Sequence, residues 1–143
     1  MFNYLNFGLK KIMNKELTVI ITDDDEGHLI LIKKTLQRIG IKNIIMFNNG
    51  EDTLKFFNEK DFSNGNKYIL MLDLRMPKIT GFDILKELKS DKNLKKIPVI
   101  VVTTTDDPSE MDICNKIGCN YYLTKPFAQE NFIQAFQSLG VAL

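Results

Sequence analysis

The chain has 143 residues, 44% of them hydrophobic and 26% charged, and its 19 Lys and Arg nearly balance 18 Asp and Glu. That length suits one domain with a sizeable core, and the composition excludes a disordered chain. A net charge of +1 leaves no global electrostatic case for nucleic acid or a membrane surface, so neither is expected as a partner.

Residues 1–16 mix Phe2, Tyr4, Leu5, Phe7 and Leu9 with Asn3, Asn6, Lys10 and Lys11. They lack the unbroken apolar run and small-residue cleavage site of a secretory leader. They read as a flexible N-terminal extension ahead of a domain at 17–143. No stretch approaches the ~20 apolar residues a membrane span needs, so a cytoplasmic location is expected. Leu17 to Thr22 (LTVIIT) is a β-branched run that stops at Asp23, Asp24, Asp25 and Glu26, as a buried strand stops at a loop. Leu29, Ile32, Leu36 and Ile39 then recur at helical spacing, and Gly40 ends that helix.

The alternation continues with a strand at Asn43 to Phe47, a helix at Glu51 to Asn58 and a strand at Tyr68 to Leu72. A helix at Gly81 to Lys89 follows, then Ile97 to Val102 (IPVIVV), whose apolar run fits a central strand covered on both faces. Met111 to Ile117 reads as a helix, Asn120 to Leu123 as a strand and Ala128 to Leu139 as the last helix. Cys114 and Cys119 form no zinc or redox pattern and read as small hydrophobes. Strands alternating with helices imply right-handed crossovers and a parallel sheet, so the fold class is α/β, a doubly wound five-stranded sheet with five helices. With only Gly140 to Leu143 after the last helix, a stand-alone domain without a DNA-binding partner domain is expected.

In such a sheet, functional side chains gather at the carboxyl ends of the strands near the topological switch point. Asp23 and Asp24 follow the first strand, Asp73 the third, Thr103 the fourth and Lys125 the fifth. Carboxylates meeting at one edge repel unless a cation neutralises them, and hard oxygen ligands suit Mg²⁺. Asp73 is the natural phosphoryl acceptor, Lys125 can pair with a phosphoryl oxygen, and the Thr103 hydroxyl can hydrogen-bond another.

Four motifs carry a resemblance: TDDDE at 22–26, LDLRMPKITGFDIL at 72–85, IPVIVVTTT at 97–105 and YYLTKPF at 121–127. Together and in this order they resemble the receiver domains of two-component response regulators, over roughly Leu17 to Leu139. The triple Thr, the connection SDKNLKKIP and GCNYYLTKP look most similar to the stand-alone type that partners bacterial phytochrome kinases. The resemblance implies a flavodoxin-like sheet of order 2-1-3-4-5. It implies that Asp73 is phosphorylated by a sensor histidine kinase or phosphotransfer protein, and that Asp24, Asp23, Asp73 and the backbone carbonyl of Arg75 serve Mg²⁺. Thr103 and Tyr122 are then switch residues, and Lys125 contacts the phosphoryl group before a cis bond to Pro126. The surface of the fourth helix, fifth strand and last helix is the implied output face and the place for a homodimer.

Thr104 is read as a small residue leaving access to Asp73, and Thr105 and Arg75 as rim residues, the Arg75 guanidinium folding over the phosphoryl oxygens. His28 is read as a surface residue of the first helical turn, and Gly81 and Pro77 as fixing the tight turn after Asp73. The alternative function is a Mg²⁺-dependent phosphohydrolase with an aspartyl-phosphate intermediate. Enzymes of the haloacid dehalogenase type place an acid/base Asp two positions after the nucleophile, where this chain has Arg75. The expectation is therefore a signalling protein that dephosphorylates slowly, not a turnover enzyme. A nucleotide- or flavin-binding module would want a Gly-rich phosphate loop, and neither G-x-G-x-x-G nor G-x-x-x-x-G-K-[ST] occurs.

Overall fold

The computed structural model describes residues 12–13, 16–62, 67–104 and 107–143. In chain order its elements are β1 (Ile12–Met13), β2 (Leu17–Thr22), α1 (Glu26–Arg38), β3 (Asn43–Phe47), α2 (Gly50–Glu59) and β4 (Lys67–Leu72). There follow α3 (Gly81–Ser90), β5 (Val99–Thr103), α4 (Pro108–Ile117), β6 (Tyr121–Thr124), α5 (Gln129–Ser138) and β7 (Val141–Ala142). Five strands form one all-parallel sheet of order β3-β2-β4-β5-β6, the flavodoxin-like arrangement.

Alternate residues of the central strands feed two cores, one on each face of the sheet. Val19, Ile21, Met71, Ile100 and Val102 pack with Leu29, Ile32 and Leu36 of α1 and with Phe132 and Phe136 of α5. Ile20, Leu70, Leu72, Val99 and Val101 pack with Phe57 of α2, Ile84, Leu85 and Leu88 of α3 and Cys114 of α4. Burial on both faces explains why β2, β4 and β5 read as nearly unbroken apolar runs.

Local chemistry sets the helix starts at the sheet edge where the site lies. Asp25 caps α1 by accepting the His28 N–H at 3.0 Å. Thr80 and Asp83 form a reciprocal capping box on α3. Asp107 caps α4 with Pro108 in its first turn, so α4 begins three residues before the apolar periodicity does. β5 begins at Val99 rather than Ile97, because Pro98 has no N–H for the ladder and only accepts, from Leu70. A further difference lies at the ends of the described chain. Ile12 and Met13 pair in parallel with Val141 and Ala142, and Ile12 packs on the α1/α5 core, so this part of the expected extension belongs to the fold.

Candidate functional site

β2 leads to β3 on one side and, after α2, to β4 on the other, which opens the crevice of the switch point between β2 and β4. The ladder runs one residue past each strand end. Asp23 donates its N–H to the Phe47 carbonyl at 3.2 Å, and Asp73 donates its own to Thr22 at 2.9 Å. Both carboxylates therefore sit at the bottom of the crevice, Asp23 1% and Asp73 7% exposed, with Asp24 exposed beside them. One oxygen from each of the three lies within 4.8 Å of the others. The cleft above them, about 300 Å³, is lined also by Asp25, His28, Arg75, Thr104 and Lys125.

Asp23 is well satisfied. Its Oδ1 accepts the Asp25 N–H at 2.9 Å, and its Oδ2 accepts the Lys125 ammonium at 2.7 Å. Lys125 arrives from the loop after β6, its N–H bonded to the Thr103 carbonyl at 2.6 Å, ahead of a cis peptide to Pro126. Its Nζ stays 3.9 Å from Asp73 Oδ1. Asp73 is thus buried beside a second negative charge without close neutralisation. Burial first, then the charge of Asp23, push its carboxyl up to about 6, against the attraction of Lys125 and the Arg75 N–H.

Thr103 ends β5 fully buried, and its hydroxyl finds no hydrogen-bond partner among the described residues. Tyr122 is half-buried on β6, packed against the α3/α4 core, and burial together with nearby Cys114 and Glu110 pushes its phenol up to about 12. Thr105 lies outside the described residues.

Three features differ from the sequence reading. The Arg75 guanidinium does not fold over the carboxylates: its Nη2 bonds Glu110 Oε2 of α4 at 2.8 Å, with Arg75 63% and Glu110 12% exposed. Gly81 is required by close approach rather than by turn conformation. A Cβ there would collide with the Asp73 carbonyl oxygen and lie 2.6 Å from Leu74 Cα, while the left-handed residue of this loop is Lys78, at φ 65°. His28 is no bystander on the helix surface. Its Nδ1 lies 2.8 Å from Lys125 Nζ and 3.5 Å from Asp23 Oδ2. The signal for it was its place in the first turn of a helix that starts at the carboxyl edge of the sheet.

Residues 19–137 match the response regulator receiver domain family. The chain belongs to that family. It is 31% identical over 114 residues to the chemotaxis protein CheY1 of Helicobacter pylori, covering 80% of this chain and 89% of that protein. The crystal structure of a response regulator receiver domain from Rhodospirillum rubrum is 40% identical, with TM-score 0.72, covering 86% of this chain and 90% of that one. The bacteriophytochrome response regulator RtBRR is similar at 26% identity and TM-score 0.76, covering 94% of this chain and 81% of its own. CheY-like receivers are signalling proteins rather than turnover enzymes, and they interact with histidine kinases or phosphotransfer proteins. No helix among the described residues is long and apolar enough to cross a membrane.

Proposed function

We propose that this receiver is switched by a phosphoryl group accepted on Asp73 from a phosphohistidine of a sensor kinase or phosphotransfer protein. A carboxylate oxygen of Asp73 forms a bond to phosphorus as the phosphorus–nitrogen bond of the donor breaks, and the freed imidazole keeps the electron pair. One observation carries the reading: around Asp73 stand a hydroxyl without an acceptor and an ammonium that does not reach the carboxylate. The buried Thr103 hydroxyl has no partner among the described residues, and Lys125 stops 3.9 Å short of Asp73. A phosphoryl group on Asp73 would supply oxygens to both.

The donor set also fits Mg²⁺. Among the described residues the three carboxylates within one ion's reach share one close lysine, Lys125, and that ammonium is bonded to Asp23. Asp23, Asp24, Asp73 and the Arg75 carbonyl are the proposed ligands, hard oxygens of the kind Mg²⁺ takes. When bound, Mg²⁺ would offset the charge that gathers on the transferring phosphoryl oxygens. Slow hydrolysis follows from what surrounds Asp73: Asp23 and His28 are both held by Lys125, and Arg75 stands where a hydrolase would place its acid/base. Thr103, moving to the phosphoryl group, would pass the change through Tyr122 to the face of α4, β6 and α5, where a partner or a second copy docks. Thr104 lines the approach.

Incubation with acetyl phosphate and Mg²⁺, read by intact mass, should add one acid-labile phosphoryl group, and EDTA should prevent it. An unchanged mass with Mg²⁺ present would overturn the proposal.

A further inference from the structure

We propose that His28 is a positioning residue for phosphoryl transfer: it accepts a hydrogen bond from Lys125 and keeps that ammonium off Asp73, aimed at the arriving phosphoryl oxygens. The inference rests on the function proposed above and deepens it.

A lysine ammonium has three donors and no acceptor. In this site one N–H goes to Asp23 Oδ2 at 2.7 Å, and a second goes to His28 Nδ1 at 2.8 Å. The third faces Asp73 Oδ1 across 3.9 Å, beyond hydrogen-bond range. Since Lys125 can only donate, His28 Nδ1 must carry the lone pair, and the ring is the tautomer with its hydrogen on Nε2. The His28 side chain as a whole is 36% exposed.

Consider the site without this acceptor. Lys125 has a flexible four-carbon stem and would have two free N–H groups beside the buried Asp73 carboxylate, which no side-chain cation neutralises at hydrogen-bond range among the described residues. Its nearest gain would be to close the gap and bond Asp73 itself, occupying the lone pairs that must attack phosphorus. His28 prevents that collapse. An imidazole suits the task better than a carboxylate, because it accepts the bond without adding a fourth negative charge to Asp23, Asp24 and Asp73. The backbone holds it ready: the His28 N–H is bonded to the Asp25 cap at 3.0 Å, which fixes the first turn of α1 against the site.

His28 is the chain's single histidine, so its imidazole nitrogens are directly identifiable by ¹⁵N NMR. The full chain should show unprotonated Nδ1 and protonated Nε2, and Lys125→Ala should abolish that preference. Phosphorylation by acetyl phosphate at saturating Mg²⁺ should slow about five-fold in His28→Ala, roughly the net worth of one hydrogen bond in a partly exposed site. His28→Asn, whose Oδ1 takes the place of Nδ1, should recover to within about two-fold of wild type, and His28→Leu should not. In a Lys125→Ala background, His28→Ala should cost nothing more. A role confined to folding would give neither the rescue by Asn nor the loss of effect without Lys125. If wild type takes up phosphate while His28→Ala does so equally fast, or Asn fails to rescue, or Nδ1 is protonated, this inference falls and the function stands. If wild type takes up none, both fall.

Discussion

Asp73→Asn should make the metal-free protein more stable, and the size of the gain follows from the site. Folding carries the Asp73 carboxyl from its ordinary 3.8 up to about 6, chiefly by burial and by the charge of Asp23. A shift of about 2 units at about 1.4 kcal/mol each makes the ionised group a native-state penalty of roughly 3 kcal/mol. Water access and local relaxation reduce that to about 2 kcal/mol. Because the folded value is the higher one, the native state holds the proton more tightly. Below about 3.8 the group is neutral folded or unfolded and costs nothing. Between 3.8 and 6 the unfolded chain ionises first and stability falls, and above 6 the penalty is complete. Asn has no charge to bury, so in EDTA at pH 8 the variant should melt roughly 5 °C above wild type. At pH 5 the gap should shrink to about half. Mg²⁺ should close it from the other side by binding folded wild type. Thermal melts across pH 5 to 8, with and without Mg²⁺, check all three. A gap independent of pH, or a wild type more stable in EDTA, would refute the account of Asp73 as a destabilised carboxylate.

Gly81→Ala should destabilise the fold by about 3 kcal/mol or more by urea denaturation, since the added methyl meets the Asp73 and Leu74 backbone rather than a side chain that can turn away. Thr103→Val should raise unphosphorylated stability by about 1 kcal/mol, because it removes a buried hydroxyl that has no partner among the described residues. The same variant, phosphorylated, should lose the change in partner affinity, read by titration calorimetry with the cognate kinase. Arg75→Ala should leave the phosphoryl half-life, followed by loss of label, within about two-fold of wild type, because Glu110 holds the guanidinium away from Asp73.

The sheet was legible because its central strands are covered on both faces, which turns each into a nearly unbroken apolar run with a polar residue at or just past its end. For the same reason the places of Asp23, Asp73, Thr103 and Lys125 could be read as polar positions at or just beyond a strand's end. His28 and Glu110 could not be found that way. Both sit on helices, where the facing direction depends on how α1 and α4 pack, and neither interrupts a pattern. Arg75 points elsewhere than expected for a related reason: charge alone suggested the phosphoryl group as its partner, but Glu110, 35 residues on, holds it in the structure. The pairing of β1 with β7 leaves no trace in periodicity, since two residues make no period. Gly81 was noticed for its type and explained wrongly, because close backbone approach is a property of the assembled loop.

The central claim is that Asp73 is the one residue to carry the phosphoryl group, and trapping the acyl phosphate tests it most directly. After reaction with acetyl phosphate and Mg²⁺, borohydride reduction followed by peptide mass mapping should find homoserine at position 73 and nowhere else. In the Asp73→Asn variant the product should be absent. Reduction at Asp23 or Asp24 with Asp73 untouched, or undiminished labelling of the variant, would contradict the account.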